Sequence, residues 1–384
     1  MFSLPGMDMN RIYFDHNATT PLAPEAADAM RPFLEGEFGN ASSHHWAGER
    51  ARETVDGTRR HMAKLLCCET DEVIFTSGGT EANNSALLGV YFGSHGKTAP
   101  HFVISAFEHP SITATCSFLE RLGATVTRVA VDRFGMVNPN DVERAITAAT
   151  VLVSVMHANN EVGTIQPITQ IAAIARTRGV LMHTDAAQSV GKVPVEVTEL
   201  GVDLLTVAGH KMYAPQGVGA LYVRRGTRLE PFLHGGGHET GRRAGTENLI
   251  EIAGLGAACQ AAQRWLRDNP MRELRDYFWT QLEKRFGGRV VLNGHPELGL
   301  PNTLNVSFVG QQGGEILSRI PQLAASTGSA CHAGDQHISP VLQAMAVPAE
   351  IAHGAIRFSL GRTSTTSEVD IVVEQLAAVL PCMT

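Results

Sequence analysis

Seven short runs rich in apolar and β-branched residues punctuate the first two thirds of this 384-residue chain, and helical patterns separate most of them. They read EVIFTS ending at Ser77, HFVIS ending at Ser105, ATVTRVAV, VLVSVMH, VLMHTDA, DLLTVA and GALYV. Runs this apolar suit strands covered on both faces, since a half-exposed strand would alternate. Strand and helix in alternation imply a mainly parallel sheet with right-handed crossovers. The expectation is a large α/β unit on a mainly parallel seven-stranded sheet.

From about residue 263 the pattern changes. WLRDNPMRELRDYFWTQLEKRF reads as one polar amphipathic helix, followed by short strands and two further helices. That predicts a smaller C-terminal α+β domain. The expected division is an N-terminal arm over 1–15, a large domain over 16–262 and a small domain over 263–384, and the chain is long enough to bury a core for both.

Composition excludes several classes. With 43% apolar and 18% charged residues the chain is not intrinsically disordered. A net charge of -7, with acids and bases interspersed, leaves no basic stripe for nucleic acid. The opening MFSLPGMDMN has neither a basic start nor an export-length apolar run, and no later stretch approaches about 18 continuous apolar residues. A cytoplasmic protein without a membrane segment is expected. The six cysteines, Cys67, Cys68, Cys116, Cys259, Cys331 and Cys382, form no CxxC pair and no ligand-like spacing with histidine. Neither a disulfide framework nor a zinc site is indicated, and the default for each is a small buried hydrophobe.

The polar motifs fall where strands end. SGGTEANN (77–84) joins a strand to a helix; its glycines let backbone amides approach an anion, and the Thr80 hydroxyl adds a donor, although a glycine turn needs no ligand. HTDAAQSVG (183–191) puts Asp185 at a strand's carboxyl end. An acid there is placed to pair with the protonated nitrogen of a pyridine cofactor, with Gln188 in reach of the ring's phenolic oxygen; a solvated loop carboxylate is the plain alternative. In GHKMYAP (209–215) a lysine directly after a buried strand loses solvent, which lowers its pKa and suits Lys211 to be a Schiff-base nucleophile, while His210 could meet a phosphate. FEHPSI (107–112) brings His109 to the same edge, where an imidazole could stack on a cofactor ring and shuttle protons, or be a satisfied structural histidine.

DHNATTP, FTSGGTEANN, EHPSI, NNEVG, HTDAAQSVGK, GHKMYAPQGVGALYV, HGGGHETGRRAGTEN, LPNTLNVSF and TGSACHAGDQHISPVLQAM, read together and in order from about residue 12 to 378, resemble the class-V aminotransferase-fold cysteine desulfurases and selenocysteine lyases of NifS/IscS-like type. The resemblance implies the type I fold of pyridoxal-phosphate transferases. It implies that Lys211 holds pyridoxal 5'-phosphate, with Asp185 on the pyridine nitrogen, Gln188 on the phenolic oxygen, His109 on the ring face, and Gly79, Thr80 and His210 on the phosphate. Thr246 would reach the phosphate of the neighbouring subunit's cofactor, which implies a homodimer. Arg357, a planar fork, and Asn160 would bind the substrate carboxylate. One departure is Ala208, where the family often has a hydroxyl residue.

Cys331 matches the family's nucleophile, in a glycine- and alanine-rich segment where partial exposure would leave a thiol usable. The leading expectation is conversion of L-cysteine to L-alanine with a persulfide on Cys331, passed to a sulfur-acceptor protein. A selenocysteine lyase with the same machinery, a class-V aminotransferase and a non-catalytic scaffold stand as alternatives. The wording ACH and SPVL looks closer to selenocysteine lyases and some specialised desulfurases.

Overall fold

The computed structural model describes residues 11–94, 99–327 and 338–380. Its strands, in chain order, are β1 (Ile12–Tyr13), β2 (Val73–Thr76), β3 (His101–Ser105), β4 (Thr125–Val129), β5 (Thr150–Ser154), β6 (Leu181–Asp185), β7 (Leu204–Ala208), β8 (Gly219–Val223), β9 (Val290–Asn293), β10 (Thr303–Phe308), β11 (Leu323–Ala324) and β12 (Ala355–Ser359).

Seven of these form one sheet in the order β2-β8-β7-β6-β5-β3-β4. Each expected run supplies one strand. β8 is antiparallel to both neighbours and every other pairing is parallel, so six strands point the same way. Their carboxyl ends therefore lie along one edge. The order reverses around β3, since β4 flanks it on one side and β5 on the other; the crevice outside the ends of β3 and β5 is where such a sheet binds ligands.

β2, β3, β5, β7 and β8 are buried along their whole length, as the continuous apolar runs predict. β4 departs from that expectation. It is an edge strand exposed at Thr125, Thr127 and Arg128, and Arg128 pairs with Glu120 of the helix Pro110–Arg121 through two hydrogen bonds of 3.1 and 3.0 Å. Charge on an open edge discourages pairing with another chain, so polarity there is the cost of being last in the sheet.

The helix Leu249–Trp265 packs against Pro24–Glu35 and Trp46–Leu66. Close approach requires a glycine: a β-carbon at Gly256 would lie 2.4 Å from Thr58 Oγ1, whose hydroxyl donates to Ile252 O at 3.0 Å. The single amphipathic helix expected from residue 263 is instead broken. Leu249–Trp265 ends before it, and a new helix, Met271–Phe286, starts after Pro270. Proline lacks an N–H and disfavours helix in the residue before it, and Asn269 Oδ1 accepts from Met271 N at 3.1 Å to start the new helix.

Beyond this break β12, β10 and β9 form an antiparallel sheet, packed by Met271–Phe286 and Thr366–Val379. Its core is aromatic, with Phe278 and Phe358 rings 5.0 Å apart and Phe286 and Phe308 5.4 Å apart. Ile12 and Phe14 are buried in the same core, and β1 pairs in parallel with β11. Among the described residues no helix is long and apolar enough to cross a membrane.

Candidate active site

The strand-end loops open into a cavity of about 320 Å3. Gly79, Thr80, His109, Asn160, Asp185, Gln188, His210, Lys211 and Arg357 all line it. Thr246 does not; it is exposed in the 235–248 segment. Cys331 lies outside the described residues.

Lys211 follows β7 in a short 3-10 turn, Gly209–Lys211. Its Nζ donates to the carbonyls of Asn17 and Ala18, each at 2.6 Å. Burial, and then the Arg357 charge, lower its pKa to about 8, against the pull of Asp15 and Asp185. About a tenth of Lys211 is therefore free amine at neutral pH, far more than for an ordinary lysine, as a nucleophilic lysine needs.

Asp185 ends β6, buried and held at both oxygens: Oδ2 accepts from Asn83 Nδ2 at 2.7 Å and Oδ1 from Ala187 N at 2.9 Å. Asn83 Nδ2 also donates to Ser111 Oγ at 2.8 Å, while Asn83 Oδ1 is buried with no partner among the described residues. Ser111 in turn fixes His109. The backbone N of Ser111 donates to His109 Nδ1 at 3.1 Å and its Oγ lies 2.7 Å from the same atom. Nδ1 is thus the acceptor and the ring proton sits on Nε2. Burial lowers the His109 pKa, Asp185 raises it and Lys211 lowers it again, which favours a neutral imidazole able to take up or give a proton.

The helix Gly79–Gly93 begins at the cavity with Gly78 as N-cap and no side-chain cap bond, so its first amides stay open to an anion. A β-carbon at Gly79 would press to 3.2 Å from Ala208 Cβ, which explains glycine at that place. Glu81, in the first turn, is drawn aside by Arg243 at 2.9 Å and by Ser77 N at 2.8 Å. No carboxylate then competes for the amides. His210 Nδ1 lies 3.1 Å from Thr19 Oγ1, and burial followed by Lys211 and Lys192 brings its pKa down to about 4. Ala208 lines the cavity without a hydroxyl, as the sequence states.

Arg357 arrives from β12 in the other sheet. Its fork donates to Asp15 Oδ1 at 2.6 Å and to Asn160 O at 3.0 Å, and Nε has no partner among the described residues. The described flanks of the Cys331 segment meet the same rim. Ser326 bonds the Arg357 backbone in both directions, at 3.2 and 2.6 Å. Ser339 donates its hydroxyl to Glu161, whose pKa burial pushes up to about 7. Of the described cysteines none lines the cavity: Cys116 and Cys259 are buried, with thiols pushed to about 12, Cys68 is half-buried, and Cys67 is exposed, contrary to the default of burial. Cys67 caps the helix Trp46–Leu66 in a left-handed conformation, which turns it outward.

Sequence reasoning gave no role to Asp15, Asn17, Asn83, Ser111 and Lys192, though each sits inside or beside a quoted motif. The available signal was the demand that a buried polar side chain find partners.

An amine of lowered pKa facing a buried carboxylate, beside an open helix N-terminus, serves an enzyme that works through a phosphate-bearing group. Residues 12–372 match the Aminotransferase class-V family, and the chain belongs to it. It is 45% identical over 373 residues to "Cysteine desulfurase IscS" of Dictyoglomus turgidum, covering 96% of this chain and 94% of the relative. A solved structure titled "NIFS-LIKE PROTEIN" superposes with a TM-score of 0.89 at 34% identity over 96% of this chain and 99% of its own. Another, titled "SspA in complex with cysteine", has a TM-score of 0.81 at 33% identity, covering 91% of this chain and 98% of that one. The fold is type I of the pyridoxal-phosphate transferases, as the resemblance implied.

Proposed function

We propose that this protein is a pyridoxal-phosphate-dependent cysteine desulfurase that converts L-cysteine to L-alanine and carries the sulfur as a persulfide on Cys331. The observation that carries the cofactor reading is Lys211, its pKa lowered to about 8, opposite a buried Asp185 in a cavity that begins a helix with open amides. The relatives named for cysteine desulfuration favour cysteine over selenocysteine and over amino transfer. When bound, pyridoxal phosphate supplies an electron sink for the substrate's α-carbon.

The chain's residues fit that group. Lys211 would hold it covalently, Asp185 would pair with the pyridine nitrogen and Gln188 would donate to the ring oxygen. Gly79 and Thr80, with His210, would hold the phosphate, and Asn83 Oδ1, without a partner among the described residues, leaves an acceptor beside Asp185 at the ring's protonated end. His109 would cover the ring and, with its proton on Nε2, give a proton there. Arg357 and Asn160 would hold the substrate carboxylate, which can share the fork now occupied by Asp15. The Cys331 thiolate attacks the substrate sulfur; the carbon–sulfur bond breaks, a sulfur–sulfur bond forms, and the released electron pair takes a proton at carbon to give alanine.

A homodimer belongs to the same proposal, with Thr246 exposed and so able to serve a neighbouring subunit's phosphate. So do a sulfur-acceptor protein, a cytoplasmic location and the division at 16–262 and 263–384. The test is alanine release from L-cysteine, with mass analysis of the Cys331 peptide. Alanine with one added sulfur on Cys331, and neither in Cys331→Ala, is expected. Cysteine turnover retained in Cys331→Ala would overturn the persulfide step, and rapid selenocysteine consumption with cysteine only inhibiting would overturn the substrate.

A further inference from the structure

Directly behind the cavity, and not lining it, lies a buried lysine that the chemistry above does not use. Lys192 Nζ donates to Gln188 Oε1 at 2.7 Å and to Asn17 Oδ1 at 2.8 Å. Asn17 Oδ1 also accepts from Asn302 Nδ2 at 3.1 Å, and Asn17 Nδ2 donates to Thr303 Oγ1 at 2.8 Å and Asn160 O at 3.2 Å. The carbonyl of Asn17 receives Gln188 Nε2 at 3.0 Å and Lys211 Nζ at 2.6 Å. One side chain thus touches both the amide that faces the cofactor and the residue on which the reactive lysine rests.

The consequence turns on which way the Gln188 amide faces. A glutamine amide can present either its oxygen or its two N–H groups. With Oε1 accepting from Lys192 Nζ and one N–H of Nε2 given to Asn17 O, the second N–H is free for the cavity that Gln188 lines. A flipped amide would set its oxygen against the Asn17 carbonyl and its NH2 against an amine already donating to Asn17 Oδ1. We propose that Lys192 is a positioning residue that locks Gln188 as a hydrogen-bond donor to the cofactor's ring oxygen and holds the Asn17 carbonyl in place for Lys211. The proposal rests on the pyridoxal-phosphate reading above.

The electrostatic setting agrees. Burial, then the charges of Lys211 and Arg357, drive the Lys192 pKa well below the usual lysine range. Charged or neutral, the amine keeps at least two N–H groups, enough for both of its acceptors. Around it and Lys211 stand Asp15, Asp185, Arg357, His16, His109 and His210; burial brings the His16 and His210 pKa values down to about 4. Those two imidazoles are therefore neutral at pH 7.

The test uses holoenzyme of Lys192→Met and Lys192→Gln, read by cofactor Kd, melting temperature and the pH midpoint of the visible absorbance. Affinity for pyridoxal phosphate should fall about tenfold, the weight of one buried hydrogen bond. The midpoint should rise by about one pH unit, because a ring oxygen without its donor holds the adjacent proton more tightly. In a Gln188→Ala background Lys192→Met should add no further shift. A lowered melting temperature with an unchanged midpoint, or an equal shift in both backgrounds, overturns the proposal. If neither Lys192 variant folds, Gln188→Glu decides: Lys192 then holds one carboxylate oxygen and the other faces the ring as an acceptor, so the midpoint should move at least as far as in Gln188→Ala. A wild-type midpoint in Gln188→Glu contradicts the proposal. Failure of the unmodified protein to take up pyridoxal phosphate would instead defeat the cofactor reading itself.

Discussion

The carboxyl edge of the large sheet and the core of the small antiparallel sheet are both buried, yet they are built from opposite materials. At the edge, Asp185, Gln188, His109 and Lys211 are polar groups each fixed by named partners. In the small sheet, Phe278, Phe308 and Phe358 fill the space with no polar atom to satisfy. Hydrogen-bonded polar groups contribute little net stability but set chemistry, whereas packed rings contribute stability and no chemistry. Damage to the first region should appear in activity and damage to the second in melting.

The sharpest break is Lys211→Ala. Turnover should fall by at least about a thousandfold, since the covalent step is gone, while apo forms of variant and parent melt together. Phe278→Ala is the converse. Denaturation should register a loss of about 3–5 kcal/mol, with the visible cofactor band intact in the folded fraction. A smaller effect is expected where the two regions meet. Arg357→Lys keeps the charge and loses the fork, so KM for L-cysteine should rise roughly tenfold or more with kcat changed less.

The smallest effect concerns Glu161, beside the rim. Burial raises its folded-state pKa from 4.5 to about 7, so the folded protein holds that proton longer than the unfolded chain. Stability therefore falls as pH rises between about 4.5 and 7. Glu161→Gln should flatten the fall in denaturation curves across that window, and an unchanged slope would remove Glu161 as its source.

The seven apolar runs and the motifs at their ends were legible because a buried strand must be apolar and a strand end must turn. Less legible was the exposed β4, which shares the composition of its neighbours and differs only in lying at the sheet's edge. The break at Pro270 was hidden by helical spacing that continues on both sides of it. Within the site, Lys211 and Asp185 could be placed from strand ends alone. Lys192 and Asn17 could not, because their roles come from contacts across 175 positions of sequence that no local pattern announces.

Borohydride reduction of the holoenzyme followed by peptide mapping tests the central claim most directly. The account predicts a single pyridoxyl group fixed to the peptide bearing Lys211, absent from Lys211→Ala. A label on another lysine, Lys192 included, or none on a protein that binds the cofactor, would contradict it.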